Sequence, residues 1–336
     1  MITITLFSSP AFAGDEKTIR GYLQKYKKKT EFQLVVIDIN SDPVLQKEYE
    51  GRCPYLQVGP YHLSWPFSQQ ELQVVLKSAS DRQTGLDAIK DISHQARVER
   101  GRVFSRSDRF TIWFSSHYML IFNLLVGLYV GMAFLAPTLM KVGAKGPARV
   151  LYTLYSPLCH QLAFRSWFIF GDQAYYPREL AGLEHLQTYG QVTGFDDHDV
   201  ITAKRFVGDD RLGYKVALCE RDIAIYLGIL LFGIVFSISR HKIKALPWYI
   251  WVAFGIVPLG FDGASQLPSL LPFLPSWLPM RESTPLLRTI TGALFGITTA
   301  WYGYPLVEES VLDTRRILLQ KRAVVEQVTR VENEIK

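Results

Sequence analysis

The chain changes character near residue 110. Before it, short apolar runs alternate with polar, lysine-rich stretches; after it, long apolar runs are joined by charged connectors. "MITITLFSS" alternates apolar and polar positions, the period of a half-buried strand. "GDEKTIRGYLQKYKKK" carries Ile19, Leu23 and Tyr26 on one helical stripe, and "FQLVVIDIN" is the near-continuous apolar run of a buried parallel strand. "DPVLQKEYEGRCPYLQVG" reads as a short helix, a turn and a third strand, and "YHLSW" as a fourth. "SQQELQVVLKSAS" opens with Ser68 and Glu71 at capping-box spacing. The expected order over residues 1–80 is therefore β-α-β-α-β-β-α. Residues 81–111 read as a polar helical linker whose end carries Arg97, Arg100, Arg102, Arg106 and Arg109.

Four later runs, 112–137, 223–239, 246–267 and 286–307, have the length and apolarity of spans, since a hydrocarbon core takes about 20 helical residues. Gly292 and Gly296 give the last of them a small-xxx-small face for close helix packing. A fifth apolar run, 148–170, is flanked or broken by Pro147, Arg149, Pro157 and Arg165, and reads as a re-entrant or interfacial helix. Charge supports four spans. The arginine run before 112, the connector with Arg240, Lys242 and Lys244, and the tail with Arg315, Arg316, Lys321, Arg322, Arg330 and Lys336 then share one side, which the excess of basic residues marks as cytoplasmic. The expectation is a multi-pass cell-membrane protein with both termini in the cytoplasm and a four-helix domain over 112–307, whose outer loop is 138–222. Residues 308–336 read as a cytoplasmic amphipathic helix with Val311, Leu318, Val325 and Val328 on one stripe, packing on the front domain or on a partner protein.

Composition adds little until it is divided. Charged residues are 20% and hydrophobic ones 48%, near the soluble average, and the mean hides the change at residue 110. A net charge of +6 suits basic segments beside a membrane. No basic, aromatic-interleaved face appears, so nucleic acid is not an expected partner, whereas membrane lipids are. The cysteines are Cys53, Cys159 and Cys219, too few for a disulfide framework and without a CxxC pair.

Residues 1–80, on this element order and on Cys53-Pro54 before the third strand, resemble the glutaredoxin-like branch of the thioredoxin fold, which keeps a cis-proline there. The redox pair of that fold would lie in "SSPAFAGDE", which has no cysteine. The resemblance therefore implies a degenerate domain reused for docking or structure, and it disfavours a thiol–disulfide oxidoreductase. The expected fold is an α/β thioredoxin-like domain followed by an all-α membrane bundle.

In the four-span topology, the ionisable residues set in apolar sequence gather on the outer face. Charges buried in a membrane cost about 2.5–3.5 kcal/mol each on insertion scales, so a cluster of them implies pairing or function. Cys159, His160, Cys219 and Asp222 have the donor types of a zinc site, with Cys219 and Asp222 at i and i+3 of one helix. Cys159 and Cys219 could equally form a disulfide at an oxidising face. His160, oriented by Asp222 or Asp262, has the makings of an acid–base pair. Arg165 and Arg288, with Gln161 and Gln266 beside them, suit an anionic group such as a lipid phosphate. The structural alternative is a buried network that locks the helices together, with Asp262 and Arg288 as the obvious pair. His117 and Asn123 read as interhelical glue, and the acid-rich "TGFDDHDV" and "GDDR" as a solvated loop that can cover the cluster.

"CHQLAFRSW" at 159–167, "CERDIAIYLG" at 219–228, "FDGASQ" at 261–266 and "RTITGALFG" at 288–296 carry a second resemblance. Residues 150–305 are similar to a bacterial and archaeal family of predicted membrane proteins known only as a domain of unknown function. That family often has a second cysteine at the position of Asp222, and the resemblance implies no activity. Three readings follow: a membrane protein with an outward-facing pocket for a metal or a lipid headgroup, with or without catalysis; an accessory subunit of a membrane complex that docks through its front domain or tail; and, disfavoured, an oxidoreductase.

Overall fold

The structure is a computed structural model that describes residues 2–27, 31–88, 101, 103–267 and 281–335. It has a mixed α/β front region and a mostly helical remainder. Two compact units divide it: residues 1–116 with 309–336, and residues 117–308.

The first unit holds β1 (Ile2–Ser8), α1 (Ala13–Tyr26), β2 (Phe32–Asp38), α2 (Pro43–Tyr49), β3 (Tyr55–Val58), β4 (Tyr61–Ser64) and α3 (Gln69–Ala88). This is the element order read from the sequence. The strands lie in the order β2-β1-β3-β4, with β1 parallel to β2 and antiparallel to β3. The period of two along β1 sends Ile4 and Leu6 to one face, against Ile19 and Leu23 of α1 and Leu72 and Leu76 of α3. Phe7 goes to the other face, with Val35, Ile37, Leu45 and Tyr49. The capping box at α3 forms: Glu71 N–H donates to Ser68 Oγ at 3.2 Å, and Ser68 N–H to Glu71 Oε2 at 2.7 Å. The Cys53–Pro54 peptide is cis. Of the expected linker, 89–100 and 102 lie outside the described residues.

The end of the last helix, α10 (Pro285–Ile335), covers the second face of this sheet. Leu319, Ala323 and Val324 join the Phe7 cluster. The expected stripe residues Val311, Leu318 and Val325 are not among those that join this cluster. Arg315 pairs with Asp42 at 2.8 Å, Arg316 with Glu48 at 3.0 Å and Lys321 with Asp108 at 2.7 Å. Gln327 treats the edge strand β2 as another strand would. Val36 N–H donates to its Oε1 at 3.1 Å and its Nε2 donates to Val36 O at 2.5 Å. An open edge is a template for strand addition, and here one amide side chain fills a step of it. Replacing Gln327 with Ala should cost about 1 kcal/mol and speed hydrogen exchange at the Val36 amide, measured by mass spectrometry; unchanged exchange there would remove this role.

The second unit is built on α4 (Arg106–Lys141), α5 (Lys145–Tyr155), α6 (Tyr189–Thr193), α7 (Val200–Arg205), α8 (Glu220–Ile238), α9 (Trp248–Ala264) and the start of α10. Among the described residues, α4 and α8 combine the length and hydropathy needed to cross a membrane; α9 is apolar but shorter. Leu120, Leu124, Leu128 and Leu135 on α4, Leu227, Leu231 and Ile238 on α8, and Leu286, Ile290 and Leu294 on α10 are exposed. Such apolar stripes at helical spacing are what lipid would cover. In α9 the residues Val252–Ile256 form a π turn just before Pro258, whose missing N–H breaks the regular ladder.

Gly292 and Gly296 of α10 meet α8 backbone to backbone. A Cβ on Gly296 would stand 2.1 Å from Ile225 O, and one on Gly292 2.7 Å from Arg221 O. Asn123 of α4 reaches α8, its Nδ2 donating to Ser237 Oγ at 3.3 Å.

Two expectations fail here. The run 148–170 is not one helix. It is α5, then a turn in which Gln161 has a φ of +52°, then a 3₁₀ turn at Ala163–Arg165 and strand β5 (Ser166–Ile169). Pro157 has no N–H to continue the ladder, which ends α5. Nor is the domain all-α, or its outer loop simply solvated. β5 pairs with β7 (Gly213–Cys219), which pairs with β6 (Gly208–Asp209). Phe164, Phe168, Tyr176, Tyr189, Ala203 and Leu212 form a small core beneath the connecting segment.

A candidate thiol, carboxylate and guanidinium site

The turn after α5 is held by two buried polar side chains. Gln161 Nε2 donates to Tyr152 O and Ala217 O, both at 3.0 Å. Lys215 Nζ donates to Gln161 O and Lys204 O at 2.7 Å, and to Ala203 O at 3.5 Å. Burial pushes the Lys215 ammonium down to about 7, and the three carbonyls offset that desolvation. This staple fixes the preceding residues, Cys159 and His160, beside the end of β7. There Cys219 caps α8.

The result is a close triad. One ligand atom each from Cys159, Cys219 and Asp222 lies within 4.8 Å of the others. Cys219 N–H donates to Cys159 Sγ at 3.2 Å, and Asp222 N–H to Cys219 Sγ at 3.5 Å. Its hydrogen bond to Cys159, which favours the protonated thiol, and then burial push the Cys219 thiol well up. Cys159 and Cys219 are free thiols in this structure. The triad opens into a cavity of about 570 Å³, which His160, Arg165, Arg221 and Arg288 also line. Leu158, Leu162, Val200 and Leu267 give it apolar walls.

Behind the cavity, Glu282 accepts from three guanidiniums. Arg165 grips it with Nε at 2.7 Å and Nη2 at 2.8 Å, Arg178 Nη1 lies 3.2 Å away, and Arg288 Nη2 also bonds it. Burial would raise its carboxyl, but the Arg165 hydrogen bonds and the three positive charges outweigh this and hold it below the usual range. Arg288 further bonds Glu220 at 3.2 Å and Gln266 Oε1 at 3.3 Å. Asp262 is clasped by Arg221 and Arg281.

Residues 211–302 match a known family. It is described as "Predicted membrane protein (DUF2085)". The match contains Cys219, Arg221, Asp222, Asp262, Gln266, Glu282 and Arg288. A similar protein is the uncharacterized protein MJ1492 of Methanocaldococcus jannaschii, 26% identical over 203 residues, which are 58% of this chain and 95% of the relative. No solved structure matches. Similarity to predicted membrane proteins agrees with the two apolar helices of spanning length.

The sequence-derived candidates divide accordingly. Cys159, His160, Arg165, Cys219, Asp222 and Arg288 share the cavity; Gln161, Asp262 and Gln266 do not line it. Gln161 is turned to the backbone of α5 and β7, so it is a staple and not an anion contact. The expected Asp262–Arg288 pair does not form: Asp262 takes Arg221 and Arg281, while Arg288, one helix on, meets Glu220 and Glu282. No hydrogen bond joins His160 to Asp222 or Asp262 among the described residues, and His160 stands outside the close triad. Arg178 and Lys215 are site-building residues that the sequence hid. Lys215 is buried within β7, and Arg178 lies over the Phe164 ring of the small core. The acids of "TGFDDHDV" serve locally: Asp199 caps α7, and Asp197 accepts from Glu179 N–H at 3.0 Å.

Proposed function

We propose that this is a multi-pass membrane protein whose cavity binds a divalent, zinc-like cation through Cys159, Cys219 and Asp222. The observation that carries the reading is the convergence of two thiols and a carboxylate, 60 residues and more apart between Cys159 and the other two, within 4.8 Å. Two sulfurs and one oxygen suit zinc, and three protein ligands leave a fourth position open. His160, lining the same cavity, is a candidate for that position or for a proton acceptor on whatever occupies it. In this reading α9 and the start of α10 add two spans to α4 and α8, the termini are cytoplasmic, and the cavity opens on the outer face.

Elemental analysis of the detergent-purified full chain should find about one zinc per chain, lost on Cys159→Ser. Because ligation displaces thiol protons, and the Cys219 thiol titrates high, zinc affinity should rise with pH across the neutral range. A metal-free protein that does not take up added zinc at any pH across that range would end the reading. A thiol count on the unfolded, unreduced chain separates it from a Cys159–Cys219 disulfide.

A second reading concerns the first unit. Its strand order β2-β1-β3-β4 and the cis Cys53–Pro54 peptide support a thioredoxin-like topology, and "SSPAFAGDE" has no thiol. This favours a docking module for a membrane-protein partner, with oxidoreductase chemistry disfavoured.

A further inference from the structure

We infer that α5 re-enters the outer leaflet and that the thiol cavity opens sideways into lipid past Leu158, with acyl chains as the partner of this face. The inference rests on the reading of α4 and α8 as spans, and deepens it by naming what reaches the cavity mouth. α4 ends at Lys141, and Gly143, at a φ of +83°, turns the chain. α5 then runs back along α4. Its Ala148, Leu151, Tyr152 and Tyr155 share a core with Ala133 and Ala136, and the Tyr155 hydroxyl donates to Tyr129 O. The Tyr129 ring packs on Tyr155 at 5.2 Å and on Tyr226 of α8 at 4.6 Å. Tyr226 lies seven residues, roughly 10 Å, along α8 from Cys219. The ring of Tyr155 is therefore level with the interior of both spans, not with their ends. The 11 residues of α5 rise about 16 Å, roughly half of a hydrocarbon core.

The face that α5 and its following turn direct away from this core is apolar. Val150, Leu154 and Leu158, at four-residue spacing, are each more than half exposed. On α4 the exposed Leu128, Met132 and Leu135 bracket Tyr129, so they stand at the same depth. One apolar surface thus continues from a span onto α5, and lipid that covers the first covers the second. The polar groups are arranged accordingly. Lys145 and Arg149 are exposed at the outer end of α5, where long basic side chains reach headgroups. At the inner end the backbone and hydroxyls are served by protein, as hydrocarbon demands. Thr153 Oγ1 donates to Arg149 O at 2.8 Å, Leu158 N–H to Tyr155 O at 3.0 Å, and Lys204 Nζ to Ser156 O at 3.3 Å. Leu158 also lines the thiol cavity, so this surface ends at its mouth.

The test places the photoreactive residue p-benzoylphenylalanine singly at Leu154, Leu158, Leu124 of α4 and Glu184 of the exposed loop. The purified full chain is reconstituted in vesicles of phosphatidylethanolamine and phosphatidylglycerol, irradiated, and weighed by mass spectrometry. A mass gain of one phospholipid is expected at Leu154 and Leu158, as at Leu124, and none at Glu184. Val150 is the second site on α5 should the Leu154 protein not fold. Adducts to a second copy of the chain at Leu154, or no adduct there while Leu124 reacts, would overturn re-entry. Reaction at Leu154 without Leu158 would overturn the sideways mouth, and equal yields at Leu154 and Glu184 would make the contact unspecific and sink the proposal. No lipid adduct even at Leu124 would bring down the membrane reading and this inference together. Zinc content, measured in the same samples, holds or fails separately.

Discussion

Replacing Glu282 with Gln should be the most damaging single change in the second unit. The side chain is 1% exposed and receives Arg165, Arg178 and Arg288 together. Removing its charge leaves three guanidiniums crowded around a neutral amide. Breaking one partner out of a buried ion pair costs about 3–5 kcal/mol, because the other charge stays buried without compensation. Here the loss is shared among three arginines from three separate segments, so the small domain bearing Arg165 and Arg178 should loosen from the start of α10. Thermal unfolding in detergent should show a drop of several degrees or loss of the folded species. Adding Arg165→Gln should restore part of that loss, since it removes one of the stranded charges. Wild-type unfolding in the single variant would mean that the network contributes little.

Gly296→Leu comes next. The site has no room even for a methyl group, since a Cβ would meet the Ile225 carbonyl oxygen at 2.1 Å. The obstacle is backbone, so no side-chain rotation relieves it. Overpacking of a tight interior costs about 1–3 kcal/mol, and a leucine between two helix backbones should reach or pass the upper end. Because α8 and α10 carry Cys219, Asp222 and Arg288 at this same end, zinc retention and stability should fall together. Gly303→Leu, where nothing lies within 4 Å of the added Cβ, is the control that should be tolerated. Equal behaviour of the two variants would refute the close-packing account.

The first unit was legible because each of its elements is local. The alternation in β1, the Ser68–Glu71 box and the Pro54 turn need no distant partner to be read. The site was legible in part for another reason: cysteine, histidine and arginine in apolar sequence are costly wherever they land, so they had to meet something. What they met was decided by tertiary geometry. Asp262 and Arg288 looked like partners from consecutive helices, yet Arg221 and Arg281 stand nearer to Asp262. The strand at Ser166–Ile169 was hidden in an apolar run that reads equally well as helix, and its pairing partner lies 44 residues and more down the chain. Arg178 and Lys215 gave no signal of their own, because only tertiary contacts decide which lone basic residue ends up buried.

The Lys215 ammonium draws oxygens from the Gln161 turn and from both Ala203 and Lys204 at the end of α7. Stitches of that kind make the small domain a fixed wall instead of a swinging flap. Traffic to the thiols would then pass through a standing doorway, framed by the exposed Leu158 and His160.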